Sequence, residues 1–292
     1  IKIERELIIM RCTIGVLGGD MRQKMLYKAL VSEGYNCLLF GFEEYNTKLD
    51  KILSQSDIIV LPLPVSEDGI NLFAPFWAQK APLFDIFRQL SADKLVLGGR
   101  VSDQVKKLAG RFDINICDYF LREEMTVKNI VPTVEGALAI AISETDFTLH
   151  KSNCLVLGYG RLGRVLSEKL SCLGANVTVM ARSQKDLAWC SVCGYTGVKP
   201  SGLREVLREQ NIIFNTVPAL ILNSELLQYV GRDTLIIDLA SAPGGVDYAR
   251  AKKLQIKALT ALSLPGKTAP KSAAEIIKDT ILNIAREEKR LD

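Results

Sequence analysis

Short apolar runs alternate along the chain with longer stretches whose apolar positions recur every three or four residues. The runs Thr13–Leu17, Cys37–Phe40, Ile58–Leu61, Leu95–Leu97 and Ile114–Cys117 read as strands. Helical patterns lie between them, around Met21–Ser32, Phe73–Leu90 and Gln104–Ala109. A helix rich in small residues is expected from about Pro132 to Thr145, with Pro132 just inside its start and Thr133 as its cap. A second series opens at Cys154–Leu157 and continues through Val177–Met180, Ile212–Asn215, Leu235–Asp238 and Ile256–Leu259. It ends in a helix from about Ser272 to Lys289. Strand and helix in alternation are the mark of α/β architecture with parallel sheets. Two doubly wound domains are therefore predicted, over residues 1–130 and 131–292, with the last helix, about 272–292, free to pack back on the first. The helix near 131–146 would bridge them, since no Pro-rich linker, short repeat or low-complexity tract marks the boundary.

The strongest local signal follows the first strand of the second series: Gly158-Tyr159-Gly160-Arg161-Leu162-Gly163. In a G-x-G-x-x-G turn between strand and helix, the first glycine makes the tight turn. The second lets a pyrophosphate approach the backbone, and the third lets helix and strand pack closely. The helix amino terminus adds free N–H groups and the positive end of its dipole. The second domain is thus predicted to be a Rossmann dinucleotide-binding domain, with Thr216, Val217 and Pro218 completing the pocket. The next strand ends at Ala181-Arg182-Ser183, without the carboxylate an NAD site places there for the ribose. Arg182 can pair with a 2′-phosphate, helped by Ser183 and Lys185, so NADP is the expected cofactor. In the first domain, Gly18-Gly19-Asp20-Met21-Arg22 also follows a strand, but with the wrong spacing and a carboxylate where a phosphate would sit. That loop is expected to serve a substrate, with Arg22 as its cation and Asp20 as an orienting or acid/base group.

Composition narrows the chemistry. Of 292 residues, 48% are hydrophobic and 24% charged, which excludes disordered and fibrous classes. Lys and Arg number 37 against 33 Asp and Glu; the resulting +4 suits small anions and is too small and dispersed for nucleic acid. A single His, His150, removes His-cluster metal sites and reads as a turn residue; no metal is expected. Seven cysteines, mostly in apolar runs, read as buried reduced thiols, and Cys190-x-x-Cys193 as two small residues at a helix end. No apolar stretch looks long enough to span a membrane, and the amino-terminal residues mix charge into their apolar positions, unlike a signal peptide. Residues 1–9, before Met10, are expected to be either an extension or a foreign remnant ahead of the first strand.

In order along the chain stand Gly18-Gly19-Asp20-x-Arg22-Gln23, Pro132-Thr133-Val134-Glu135-Gly136, Gly158-x-Gly160-Arg161-x-Gly163 and Asn215-Thr216-x-Pro218. Asp238-Leu-Ala-Ser241, Pro243-Gly244-Gly245-x-Asp247, Leu264-Pro265-Gly266 and Ala269-Pro270-Lys271 follow. This ordered set, running from about Met10 almost to the end, resembles the dipicolinate synthase A chain family. The resemblance implies NADP-dependent oxidation of dihydrodipicolinate, or its hydroxytetrahydro precursor, to dipicolinate during sporulation. It further implies a flavoprotein-like partner, the dipicolinate synthase B chain, and a cytoplasmic location in the mother cell. Self-association is also expected.

A small dicarboxylate needs cationic clamps, for which Arg22, Arg100 and Lys271 are the candidates, with Lys267 weaker. Asp20 and Glu135 are the proton-transfer candidates, although Glu135 in a first helical turn would also serve as a capping-box residue. The competing readings are another dehydrogenase, of the shikimate or alanine type, and a non-catalytic NADP-binding component. A 2-hydroxyacid dehydrogenase would want a catalytic His in its last segment, where this chain has none.

Overall fold

The computed structural model describes residues 12–45 and 47–291. The sequence reading of residues 1–9 therefore lies outside the described residues. The chain divides into two compact units, one of the described residues up to Asn129 together with those from Ala269, the other Ile130–Thr268.

The first unit is built on a five-stranded parallel sheet: β1 Thr13–Leu17, β2 Asn36–Phe40, β3 Ile58–Val60, β4 Leu95–Gly98 and β5 Ile116–Asp118. Their order is β2-β1-β3-β4-β5. Alternate side chains of each strand feed two cores, one on each face. Ile14, Val16, Ile58, Val60 and Leu97 join the helices Met21–Ser32 and Pro270–Glu287, through Leu26, Leu30, Ile277 and Ile281. Leu17, Ile59, Leu61 and Val96 face the helices Leu49–Gln55, Leu83–Gln89 and Asp103–Gly110, through Ile52, Phe87 and Val105. Burial on both faces is why these strands read as apolar runs rather than alternations.

The second unit holds β6 Asn153–Leu157, β7 Asn176–Met180, β8 Thr196–Val198, β9 Ile212–Asn215, β10 Leu235–Asp238 and β11 Lys257–Thr260. Its all-parallel sheet has the order β11-β10-β9-β6-β7-β8, the doubly wound arrangement of dinucleotide-binding domains. Cys154, Val156, Ile212, Phe214 and Ile237 pack with Val134, Ala137, Ala141, Leu166 and Leu170 on one face. Leu155, Leu157, Ile213 and Ile236 pack with Leu203, Leu207 and Ala251 on the other.

Several sequence expectations need correction. The predicted helix Phe73–Leu90 survives only as Leu83–Gln89, because Pro75 and Pro82 interrupt it and Leu72 instead donates to the Ala81 carbonyl. Strand β8 is missing from the sequence reading: it is three residues long, at the sheet edge, and carries Gly197 in place of an apolar residue. The helix expected from Pro132 begins at Ile130, so Thr133 lies within it and cannot cap it, and Glu135 falls outside the first turn. The stretch Glu123–Ser143, 21 residues whose most apolar 18-residue window has a mean hydropathy of 1.3, is long and apolar enough to cross a membrane, contrary to the expectation above. Lys128, Asn129 and Glu135 break that stretch up in a sequence reading. In the second unit its Ile130, Val134, Ala137 and Ala141 recur on one face and pack into the sheet core, as in a helix buried within a protein. All seven cysteines are free, but Cys172 and Cys193 are exposed rather than buried.

Candidate functional site

The turn from β6 into the helix Arg161–Cys172 carries out the division of labour its glycines suggest. Gly158 has φ +99°, and a Cβ there would lie 2.7 Å from Thr216 Oγ1. A Cβ on Gly163 would sit 2.1 Å from the Gly158 carbonyl oxygen, so the helix touches the strand end backbone to backbone. At Gly160 the space is open, with nothing within 4 Å of a Cβ. Gly160 is also the N-cap, and no side chain caps this twelve-residue helix. Its amino terminus thus opens onto clear space with the positive end of the helix dipole behind it, which is what a pyrophosphate requires. Tyr159 lies against Arg164, whose guanidinium carbon is 5.1 Å from the ring centre. Arg161 and Leu162 open the helix. Thr216, Val217 and Pro218 follow β9 alongside, and the Thr216 hydroxyl donates to the Leu157 carbonyl at 2.8 Å.

After β7, Ala181 is buried and Arg182 is exposed, with no ion pair or hydrogen bond to its guanidinium among the described residues. Ser183 does not have the free hydroxyl assigned to it. Its oxygen caps the helix Gln184–Val192 by accepting from the Asp186 N–H at 3.0 Å, and its hydroxyl donates to Asp186 Oδ2 at 2.7 Å. Nor is this turn without a carboxylate, as the sequence reading had it: Asp186 is there, three residues beyond Ser183. It is held by Ser183 and by Arg164 at 2.9 Å, and those contacts, Ser183 first, keep its carboxyl below the ordinary range. Ser183 as N-cap, with Asp186 three residues on receiving its hydroxyl, explains both features.

The carboxyl ends of β9 and β10 hold a buried polar network that sequence reasoning treated only as pattern. Asp238, 1% exposed, accepts from Asn215 Nδ2 at 2.8 Å, from the backbone of Ala240 and Gly245, and from the Tyr248 hydroxyl at 3.0 Å. Asn215 in turn bonds both backbone groups of Val217, while the Thr260 hydroxyl donates to Tyr248. The carboxylate thereby folds the loop 239–245 back onto the strand and ties it to the segment beside Gly158. Burial, then the neighbouring Asp238 charge, pushes the Tyr248 phenol up, keeping it a donor. The signal in the sequence was a polar residue closing each of two apolar strands, at paired positions of the sheet.

In the first unit the loop after β1 is occupied from within. Asp20 is the N-cap of Met21–Ser32, accepting from the Arg22 N–H at 2.9 Å. Its carboxylate also receives Nε and Nη2 of Arg22, the latter at 2.8 Å, and Nη2 donates onward to the Leu63 carbonyl. Arg100 follows β4 with φ +53°, an uncommon conformation for a long side chain, of the kind that gathers at functional sites. Asp118 fixes it by accepting from the N–H groups of Arg100 and Val101. Both arginines therefore stand at the carboxyl edge of one parallel sheet, the edge where doubly wound folds bind ligands.

Residues 13–120 match the N-terminal domain of the dipicolinate synthase A chain, and residues 135–262 the NAD-binding domain of D-isomer-specific 2-hydroxyacid dehydrogenases. A relative from Bacillus subtilis (strain 168), its dipicolinate synthase A chain, is 33% identical over 284 residues, covering 94% of this chain and 96% of its own. The chain belongs to the dipicolinate synthase A chain family. The crystal structure of the Bacillus subtilis A chain aligns with a TM-score of 0.85 over 96% of this chain and 98% of that one. Its counterpart from Bacillus halodurans gives 0.87 at 29% identity, over 94% and 98%. A transhydrogenase from Sinorhizobium meliloti shares the fold, with a TM-score of 0.71 at 15% identity over 95% and 94%. Family membership and the dehydrogenase-type domain identify an oxidoreductase with a nicotinamide-dinucleotide-binding Rossmann domain.

In this member of the dipicolinate synthase family the other candidates are dispersed. Glu135 lies in the second turn of Ile130–Ser143, exposed and unpaired among the described residues, so the capping-box alternative falls away. Lys271 is exposed in the first turn of Pro270–Glu287, and Lys267 lies in the short helix Leu264–Thr268 rather than in a loop. His150 is exposed in a turn. Cys190 is buried on Gln184–Val192 and Cys193 ends that helix.

Proposed function

We propose that this chain is the component of a dipicolinate synthase that binds NADP and oxidises dihydrodipicolinate, or its hydroxytetrahydro precursor with loss of one water, to dipicolinate together with a B-chain partner. The open space at Gly160 carries this reading: a twelve-residue helix with an uncapped amino terminus, in a chain of this family, fits a dinucleotide pyrophosphate. Arg182, unpaired at the end of β7, supports NADP over NAD, because a 2′-phosphate would supply the counter-charge it lacks. Asp186 does not oppose this, since Ser183 and Arg164 already hold it. NADP, when bound, supplies the hydride acceptor, and the ring that gives up the hydride gains aromaticity.

The chain's own residues then have modest tasks. Arg100 would hold a substrate carboxylate at the carboxyl edge of the first unit's sheet, with Lys271 as a further cation; Arg22, whose Nε and Nη2 are engaged, would have only Nη1 to offer the second carboxylate. Asp20, capping a helix and neutralised by Arg22, acts as a positioning residue that aims the guanidinium. Glu135, exposed and unpaired, would accept the proton released on oxidation.

The test is NADPH formation from freshly generated dihydrodipicolinate, by this chain alone and with the B-chain partner, with dipicolinate followed by its ultraviolet absorption. NADPH and dipicolinate should form in equal amounts, and NAD should support a much slower rate. A preference for NAD would overturn the cofactor assignment. A Gly160→Asp variant that supports the full rate in the complex would overturn catalysis by this chain.

A further inference from the structure

At the amino edge of the second unit's sheet, away from the glycine loop at its carboxyl edge, lies a cavity of about 610 Å³. It is lined by Arg204, Glu205, Arg208, Tyr229 and Arg232 among others. Arg204 and Glu205 stand on the short helix Leu203–Val206 and Arg208 on the turn after it, leading into β9. Tyr229 ends the turn Leu226–Tyr229, and Arg232 is on the loop leading into β10. These residues therefore come together only because β9 and β10 are neighbours in the sheet.

Three observations make this more than a charged surface. First, no hydrogen bond or ion pair engages any of the three guanidiniums among the described residues, although Glu205 is close by. Three arginines and one glutamate leave the cavity two positive charges in excess, a self-repulsion that a dianion would relieve. Second, the Arg204 guanidinium carbon lies over the Tyr229 ring, 4.1 Å from its centre, and a cation–π pair of this kind is a platform for a further planar ring. Third, the volume lies within the range of small-molecule sites and exceeds what a bare phosphate would fill. A second cavity, of about 900 Å³, shares Arg208 and Arg232 and is also lined by Lys257, Glu144, Asp146, Glu209 and Asp233, so its charged groups sum to one negative. The positive excess is therefore confined to the Arg204 side of the two shared arginines, away from those carboxylates.

We propose that this cavity binds a nucleoside monophosphate, its base stacked on the Arg204–Tyr229 platform and its phosphate held by the forked donors of Arg208 and Arg232. Guanidinium pairs suit this task because their parallel N–H groups match phosphate oxygens two at a time. The site is separate from the dinucleotide loop.

The probe is AMP, titrated calorimetrically into the full chain saturated with NADP, so that the glycine loop is not available to it. One equivalent should bind. Arg208→Ala with Arg232→Ala should weaken AMP binding at least tenfold while NADP affinity stays within twofold, and that retained affinity reports that the unit is folded. Arg208→Lys should lose most of the same affinity, since it keeps the charge and loses the fork. Tyr229→Leu should weaken AMP several-fold and leave the binding of inorganic phosphate unchanged. The proposal is overturned if no AMP binds, if the arginine variants bind it as well as the parent, or if inorganic phosphate binds as tightly as AMP. Tighter binding of single-stranded RNA at the same residues would overturn it too. A parent chain that binds AMP here but no NADP would instead overturn the cofactor reading above.

Discussion

Two loops in this chain begin alike and end as opposites. Each leaves the first strand of a parallel sheet, passes through glycine of positive φ and opens a twelve-residue helix. After β6 the N-cap is Gly160, and the amino terminus of the helix is left uncovered. After β1 the N-cap is Asp20, whose carboxylate occupies the same place and is neutralised by Arg22. A Cβ on Gly19 would lie 2.3 Å from Gln23, so that loop is closed further by its own helix. Topology thus offers an anion site at both places, and a single side chain decides whether the protein fills it or leaves it for a ligand. A helix terminus always needs acceptors for its N–H groups; the choice is between a permanent one and a borrowed one.

Asp20→Ala undoes the contrast most directly. It removes a cap and leaves Arg22, only 11% exposed in its side chain, without its partner, so the first unit should lose about 3 kcal/mol in chemical denaturation. Loss of less than about 0.5 kcal/mol would mean that the Asp20 cap is dispensable. The reverse substitution, Gly160→Asp, gives the second loop its own carboxylate. Dinucleotide affinity measured by calorimetry should fall more than about a hundredfold, or ~2.7 kcal/mol, with the melting temperature little changed. Unaltered affinity would show that the pyrophosphate does not sit there.

Arg182→Ala examines the cofactor side. NADP binding should weaken by about 1.5–3 kcal/mol, as for other charge-assisted contacts, and NAD binding should hardly change. Equal losses for both dinucleotides would point to a contact other than the 2′-phosphate.

A milder change is expected at Tyr248. Tyr248→Phe should destabilise the second unit by about 1 kcal/mol near neutral pH. The folded phenol is raised above its ordinary value of 10.0, so the stability it contributes is complete below pH 10 and disappears as pH rises through the higher folded value. The gap between parent and variant in alkaline unfolding should close over that range. A gap that instead widened with pH would contradict the hydrogen bond to Asp238.

Much of the molecule was legible from local pattern. Strands β1, β9 and β10 stand where their apolar runs place them, because a strand buried on both faces needs little beyond continuous apolar residues. The glycine loop was legible for a related reason: each of its glycines answers a constraint set by immediate neighbours. The edge strand β8 was not, since Gly197 makes it a strand only by pairing with β7. Nor was the role of Ser183, whose hydroxyl is taken by a carboxylate three residues on.

The α/β class, the dinucleotide loop and the family all rest on short-range spacing and ordered markers, and so could be read from the residues in a line. Which charges are spoken for could not. Asp20 and Arg22 neutralise each other, Asp238 is buried among donors from four other residues, and Arg182 and the arginines around Tyr229 remain unpaired among the described residues. Pairing of charges depends on distances between side chains brought together by strand order and helix packing. Those distances decide whether a charged group is a brace or a binding site.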